Sequence, residues 1–336
     1  MTSRPDFATL LQLPILQAPT GSIAGPELAA VVSAAGGIGA LALTWTSPDV
    51  AVAHIESIRS KTDRPFLVNF ALAFPPRSLE AALAARVPVV TFSWGDPSQY
   101  LEQVHAAGAL CGVQVTSALG AERYADLGFD FLICQGSEAG GHVQANRSLW
   151  DLLPEVVGAA AGCPVVAAGG IGNGYDIARA LSSSMGAVGA MLGTRFVATV
   201  ESRAHTEYRE LIRSARARDT ALTVCFEGGW PYAAQRVLRN STLNIWEAAG
   251  SPSIGQRPGE DDTVGYDGAG DPILRYADTA PRHGFSGEIE AMCCYAGTSV
   301  EVIDDIPHAA ALMARLMAEY QSVIIAERSA PLPASE

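Results

Sequence analysis

Short apolar runs bounded by Gly, Pro and polar residues recur along the chain at spacings of about 20 to 30 residues, each followed by a stretch with helical periodicity. The runs predict strands at about 14–19, 38–43, 66–70, 88–93, 110–115, 131–135, 164–168 and 187–192. Helical patterns fall between them, at 26–35, 48–60, 78–86, 97–107, 149–161 and 174–184 among others. Most of the strand-like runs are apolar throughout instead of alternating, as parallel strands covered on both faces should be. Eight such units within about 200 residues predict an α/β fold, a closed (β/α)8 TIM barrel. An open doubly wound sheet is the alternative, but GSIAGP after the first run is not a dinucleotide fingerprint and no acidic residue ends the second run.

A helical pattern over 202–218 would close the barrel, which sets its limits at 1–218. The pattern then changes. Residues 219–305 hold turn-rich stretches such as GSPSIGQRPGEDD and GYDGAGDP, with a helical pattern near 231–248, and read as an insertion or lid subdomain bordering the barrel mouth. Residues 307–327 read as a last amphipathic helix within a C-terminal helix and tail, 306–336.

Of the 336 residues 49% are hydrophobic and 17% charged, which excludes disordered and low-complexity classes. The net charge of −13 argues against nucleic acid and anionic membrane surfaces, so a small-molecule ligand is expected. Residues 1–13 lack the pattern of a signal peptide and no later run is read as membrane-spanning, so a cytoplasmic location is expected, with the chain a monomer or homodimer. The six cysteines have neither the density of a disulfide scaffold nor the spacing of a zinc site, and no metal is expected. Cys111, Cys134 and Cys163 read as buried thiols. The neighbours Cys293 and Cys294 would bridge only with strain.

Barrel enzymes build their sites from loops at the C-terminal ends of the strands. Three of those ends are rich in glycine: Gln135 to His142 (QGSEAGGH), Gly169 to Gly172 (GGIG) and Gly193-Thr194-Arg195. Close backbone approach and clustered amides there suit a phosphate. His142 is the one histidine placed directly in such a loop, where imidazole can take a carbon-bound proton or, when charged, steady an anion. Asn69 and Gln114 bring neutral amides to the same face, suited to hydrogen-bonding a flavin edge or a neighbouring backbone group. Glu138 is either a second acid/base group or the anchor of its own loop.

These residues make the chain resemble the nitronate monooxygenase family, formerly 2-nitropropane dioxygenases, over essentially its whole length. The matching elements are LPILQAP (13–19), ELAAVVSAAGGIGAL (27–41), VNF (68–70), QGSEAGGH (135–142), PVVAAGGI (164–171) and MLGTRF (191–196). The resemblance implies noncovalent FMN contacted by Asn69, Gln135, Gly140, Gly141, Gly170, Met191, Leu192, Gly193 and Thr194. It assigns His142 as catalytic base, and brings Cys294 to Ser299 (CYAGTS) back to the pocket. The implied reaction is oxidation of an alkyl nitronate by dioxygen to a carbonyl compound and nitrite, through a flavin semiquinone. Thr20 stands where the family motif usually has Met, and Val143-Gln144-Ala145-Asn146 replaces the common Arg-Gly after the histidine. Two other readings compete: an NAD(P)H-dependent flavin reductase of quinones or enoyl thioesters, and a flavin-binding subunit without turnover.

Overall fold

The computed structural model describes residues 6–329 apart from 228, 231 and 232. Eight parallel strands form the centre: β1 (Ile15–Gln17), β2 (Gly39–Ala42), β3 (Phe66–Ala71), β4 (Val89–Ser93), β5 (Leu110–Val115), β6 (Phe131–Gln135), β8 (Val165–Ala168) and β9 (Gly189–Leu192). A two-residue strand, β7 (Gly141–His142), lies between β6 and β8 in sequence but outside this sheet. The order runs β1-β9-β8-β6-β5-β4-β3-β2, and a parallel bridge from Leu16 to Ile38 joins the two ends, so the expected (β/α)8 barrel is closed.

Alternation along each strand separates two apolar layers. Leu16, Ala40, Leu67, Val89, Leu110, Phe131, Val166 and Met191 fill the inside. Phe7, from a short N-terminal helix, stacks on Phe131 at 3.8 Å and covers the N-terminal end of that core. Ile15, Leu41, Val68, Val90, Cys111, Leu132, Val165 and Leu192 face outward, against the helices. Apolar side chains on both faces are why these strands carry no polar alternation in the sequence.

Beyond the barrel the chain differs from expectation in two places. The closing helix is shorter than 202–218, running Thr206–Ser214, because His205 caps it: its ring nitrogen accepts from the Glu207 N–H at 3.2 Å. The pattern near 231–248 is part strand and part helix. β11 (Gln235–Leu238) pairs antiparallel with both β10 (Thr220–Thr223) and β7, and Asn240 then starts the helix Ser241–Ala248 by accepting from the Leu243 N–H at 2.9 Å. Pro231 and Tyr232 lie outside the described residues. A second small sheet joins β13 (Pro272–Leu274), β12 (Thr263–Tyr266) and β14 (Ser286–Gly287).

The last helix, Ala309–Ser329, corrects one reading of the sequence. Its span Ala309–Glu327 is long and apolar enough, by length and composition, to cross a membrane, with mean hydropathy 1.2. In this fold Ala309, Leu312, Met313 and Leu316 are buried in the same layer as the outer faces of the strands. Its apolar character thus follows, at least over the first two turns, from packing on the barrel.

Candidate active site

The inward positions change character at the C-terminal end of the barrel. Continuing the inner register past Leu67, Val89, Leu110 and Ile133 places Asn69, Thr91, Gln114 and Gln135 in one polar layer above the apolar core. The Asn69 amide donates to the Thr91 hydroxyl at 3.1 Å and to the Thr91 carbonyl at 3.3 Å. The Gln135 carbonyl oxygen accepts from the Gln114 amide at 3.2 Å and from the Gln144 N–H at 3.0 Å. Gln114 also donates to the Gln144 side-chain oxygen at 2.6 Å, which in turn accepts from the Trp94 N–H at 3.1 Å. Neutral amides locked to one another in this way form a floor that can hydrogen-bond a flat polar-edged ligand without adding charge.

His142 stands at the edge of this layer. Its backbone is fixed by the added segment: His142 pairs with Gln235 and Gly141 with Arg236, and the next residue, Val143, donates to the Ala234 carbonyl at 2.8 Å. Around its ring are Trp230, stacked at 4.3 Å, Tyr295 at 5.7 Å and Trp94 edge-on at 6.1 Å. Burial among these rings pulls its pKa down from 6.5 to about 4. A pKa that low favours the neutral imidazole at pH 7. Glu138 anchors its own loop, accepting from the Ser148 hydroxyl at 2.5 Å and the Leu149 N–H at 2.9 Å. Both Nε and Nη2 of Arg236 hold the Ser137 carbonyl, at 3.1 and 2.8 Å.

The glycine turns converge at the same end. Gly169 and Gly170, with φ of 109° and 72°, turn the chain after β8 through conformations that disfavour a side chain. Gly140 serves a different need, close approach by the returning segment: a Cβ there would lie 2.4 Å from the Gly297 nitrogen. That segment is held by Gly297 N–H donating to the Thr194 hydroxyl at 2.9 Å and Thr298 N–H donating to the Glu138 carbonyl at 3.0 Å. Gly193 leads into the short helix Thr194–Val197, and a Cβ on it would make ordinary contacts with Ala18 and Thr20. Met191 points into the barrel, whereas Leu192 is fully buried in the outer layer, so it can meet a ligand only through its backbone.

An amide floor, paired glycine turns after β8 and β9 and a short helix start beside them are features that fit a phosphate-bearing planar cofactor. The sequence named Gln144 only as a departure from the family motif, brought Tyr295 to the pocket only as part of the Cys294 to Ser299 stretch, and left Trp230, like Phe70, Phe74 and Trp94, open between pocket lining and core packing. In the structure Gln144 ties the floor to Trp94, and Tyr295 and Trp230 enclose the histidine. The other histidines lie elsewhere: His105 meets Asp130 at 2.9 Å and His308 meets Glu201 at 3.1 Å. Cys293 and Cys294 are fully buried with their thiols pushed well up by burial, and are poor candidates for redox chemistry.

Comparison with known proteins bears on the same region. A family model described as nitronate monooxygenase matches residues 5–78 and 70–319. A protein of Pseudomonas aeruginosa named nitronate monooxygenase is 32% identical over 309 residues, covering 77% of this chain and 86% of its own. Among solved structures, FabK from Thermotoga maritima superposes with a TM-score of 0.82 at 30% identity, over 97% of this chain and 99% of that one. A nitroalkane oxidase from Streptomyces ansochromogenes gives 0.77 at 29% identity, over 96% and 100%.

Proposed function

The chain belongs to the nitronate monooxygenase family, and from that premise we propose that it binds FMN and oxidises nitronates with dioxygen to a carbonyl compound and nitrite. The observation that carries the reading is His142, neutral and ring-enclosed, beside a floor of neutral amides at the barrel mouth. FMN, when bound, supplies the redox chemistry that side chains lack. Its phosphate would sit on the turns of Gly170 and of Gly193 and Thr194, with Met191 and the Leu192 backbone below. Asn69, Gln135 and the Gly140-Gly141 backbone would border its ring system.

The task left to His142 is to orient the substrate. A neutral imidazole donates its N–H to a nitronate oxygen, and the negative charge on that acceptor makes the hydrogen bond stronger than one to a neutral oxygen. An imidazole whose conjugate acid titrates near 4 is a weak base toward a neutral nitroalkane. The preformed anion is accordingly the favoured substrate. β11 of the added segment holds the ring in place through its pairing with β7.

A reductase fed by NAD(P)H is the competing reading, since the uncharged surroundings of His142 suit a quinone or enoyl thioester as well. Anaerobic mixing of the FMN-loaded protein with propionate 3-nitronate, and separately with NADH or NADPH, divides the two. Flavin absorbance changes with nitronate alone, followed by nitrite release on admitting oxygen, are expected. Rapid bleaching by a pyridine nucleotide without response to nitronate would move the assignment to a reductase. His142→Ala is expected to lower kcat/KM for the nitronate by about a hundredfold while FMN stays bound.

A further inference from the structure

Four large aromatic side chains cluster at the barrel mouth, and the reaction proposed above uses two of them, Trp94 and Trp230, only as walls around the His142 ring. Trp45, Phe74 and Trp94 follow β2, β3 and β4, so they share the C-terminal end of the barrel with His142. Trp230 meets them from the added segment, its ring 4.6 Å from Trp94, 5.2 Å from Phe74 and 6.2 Å from Trp45. Trp45 and Phe74 are themselves 5.2 Å apart, and all four contacts are edge-to-face, with interplanar angles of 63° to 84°.

Two observations set this cluster apart from core packing. The first is exposure. Trp45 is 61% exposed and Phe74, Trp94 and Trp230 are half-buried, whereas Phe70, Phe92 and Phe131, on the strands themselves, are fully buried. A contiguous, partly exposed apolar wall beside a few fixed polar groups has the make-up of a small-molecule site. The second is backbone strain. Trp94 has φ of 59°, in the left-handed region that a bulky side chain avoids. Its N–H is held there by the Gln144 side chain, the same group that accepts from Gln114. Strain of this kind survives where surrounding contacts over-determine it, and here those contacts aim a tryptophan at the site.

We propose that Trp94 and Trp230 set the specificity of the site, and that the substrate carries a planar apolar group, aryl or conjugated, beside its reacting carbon. This rests on the nitronate reading above and names the class of nitronate. His142 and the amides address the charged head, and the aromatic wall addresses the substituent. A short alkyl nitronate would meet only the polar half of the site, whereas a flat substituent gains edge and face contacts with rings already ordered.

Binding tests the proposal without any turnover. The FMN-loaded protein is titrated with benzoate and with propionate, two unreactive carboxylates that share the flat anionic head of a nitronate, followed by flavin absorbance and tryptophan fluorescence. Benzoate is expected to bind at least about tenfold more tightly than propionate. Trp230→Ala and Trp94→Ala are expected to cut that ratio to about twofold, and Trp230→Phe to keep most of it. Where an alanine variant does not fold, Trp230→Leu, which keeps apolar volume without a ring, takes its place with the same expectation. Equal affinities in the unaltered protein, or a preference that survives loss of the ring at both positions, would overturn the proposal. Selective benzoate binding in a protein that releases nitrite from no nitronate would leave the aromatic wall standing and reject the reaction instead.

Discussion

The two sides of the barrel mouth are built on opposite plans. On the side of β6, β8 and β9 the backbone does the work: glycine turns, a short helix start and the returning segment at Gly297 come within van der Waals limits of one another. On the side of β2, β3 and β4 side chains do it, with aromatic rings from four separate loops meeting over the floor. The first side suits a phosphate-bearing ligand, because backbone amides facing a phosphate admit little variation. The second can change substrate by changing one ring at a time. His142 lies on the boundary, backbone-paired to β11 and ring-packed on Trp230.

The largest expected effect is at that boundary. His142 has a folded-state pKa of about 4 against an ordinary 6.5, so the unfolded chain takes up its proton first as pH falls. Its stabilising contribution is complete above pH 6.5 and is lost progressively as pH falls toward 4, to a limit of about 3 kcal/mol. Urea unfolding of the unaltered protein and of His142→Gln at pH 7 and pH 4.5 should show the gap between them shrinking at the lower pH. A gap independent of pH would mean that the ring titrates alike in the folded and unfolded chain, so that the surrounding rings do not hold it neutral. The kinetic counterpart is a kcat/KM for nitronate without an inflexion from His142 between pH 6 and 8.

Next is the backbone side. Gly140→Ala puts a Cβ 2.4 Å from the Gly297 nitrogen, where neither partner is a side chain that can swing away. The returning segment must shift, at a cost of about 2 kcal/mol, and FMN affinity should fall with the melting temperature. If FMN is lost without any change in melting temperature, Gly140 is needed for contact with the cofactor and not for the approach of Gly297.

How far these features could be read from sequence follows the same division. Eight apolar runs and three glycine-rich ends were legible because each is a local pattern with a direct backbone meaning, and the barrel followed from their number. The inward and outward parity of Met191 and Leu192 was also there to be read, since a strand alternates, yet both look alike in a run that is apolar throughout. β11 was hidden because four residues, Gln235 to Leu238, are too few to display a period and are followed almost at once by the helix Ser241–Ala248. The aromatic wall left no spacing pattern. Trp45, Phe74, Trp94 and Trp230 are spread over 186 positions, and from the sequence Phe74, Trp94 and Trp230 fit pocket lining and core packing equally, as Phe70 does, so nothing marked which would gather at the mouth.

The smallest expected effect is also the one that most sharply tests whether the aromatic side serves binding or packing. Phe70, fully buried behind the strands, should cost about 3 to 5 kcal/mol when cut to alanine, as core aromatics do. Trp94 should not behave this way. Trp94→Gly removes a half-buried ring and its contact with Trp230, but it also releases a left-handed residue at φ 59°, worth about 1 kcal/mol, and leaves the N–H free to keep its bond to Gln144. The two terms offset, so the unfolding free energy should move by no more than about 1 kcal/mol. A loss as large as that of Phe70→Ala would make Trp94 a packing residue whose strain is incidental. Near-neutral stability would instead mean that the strain is maintained against the interest of the fold, by contacts whose benefit appears only when a ligand lies against the ring.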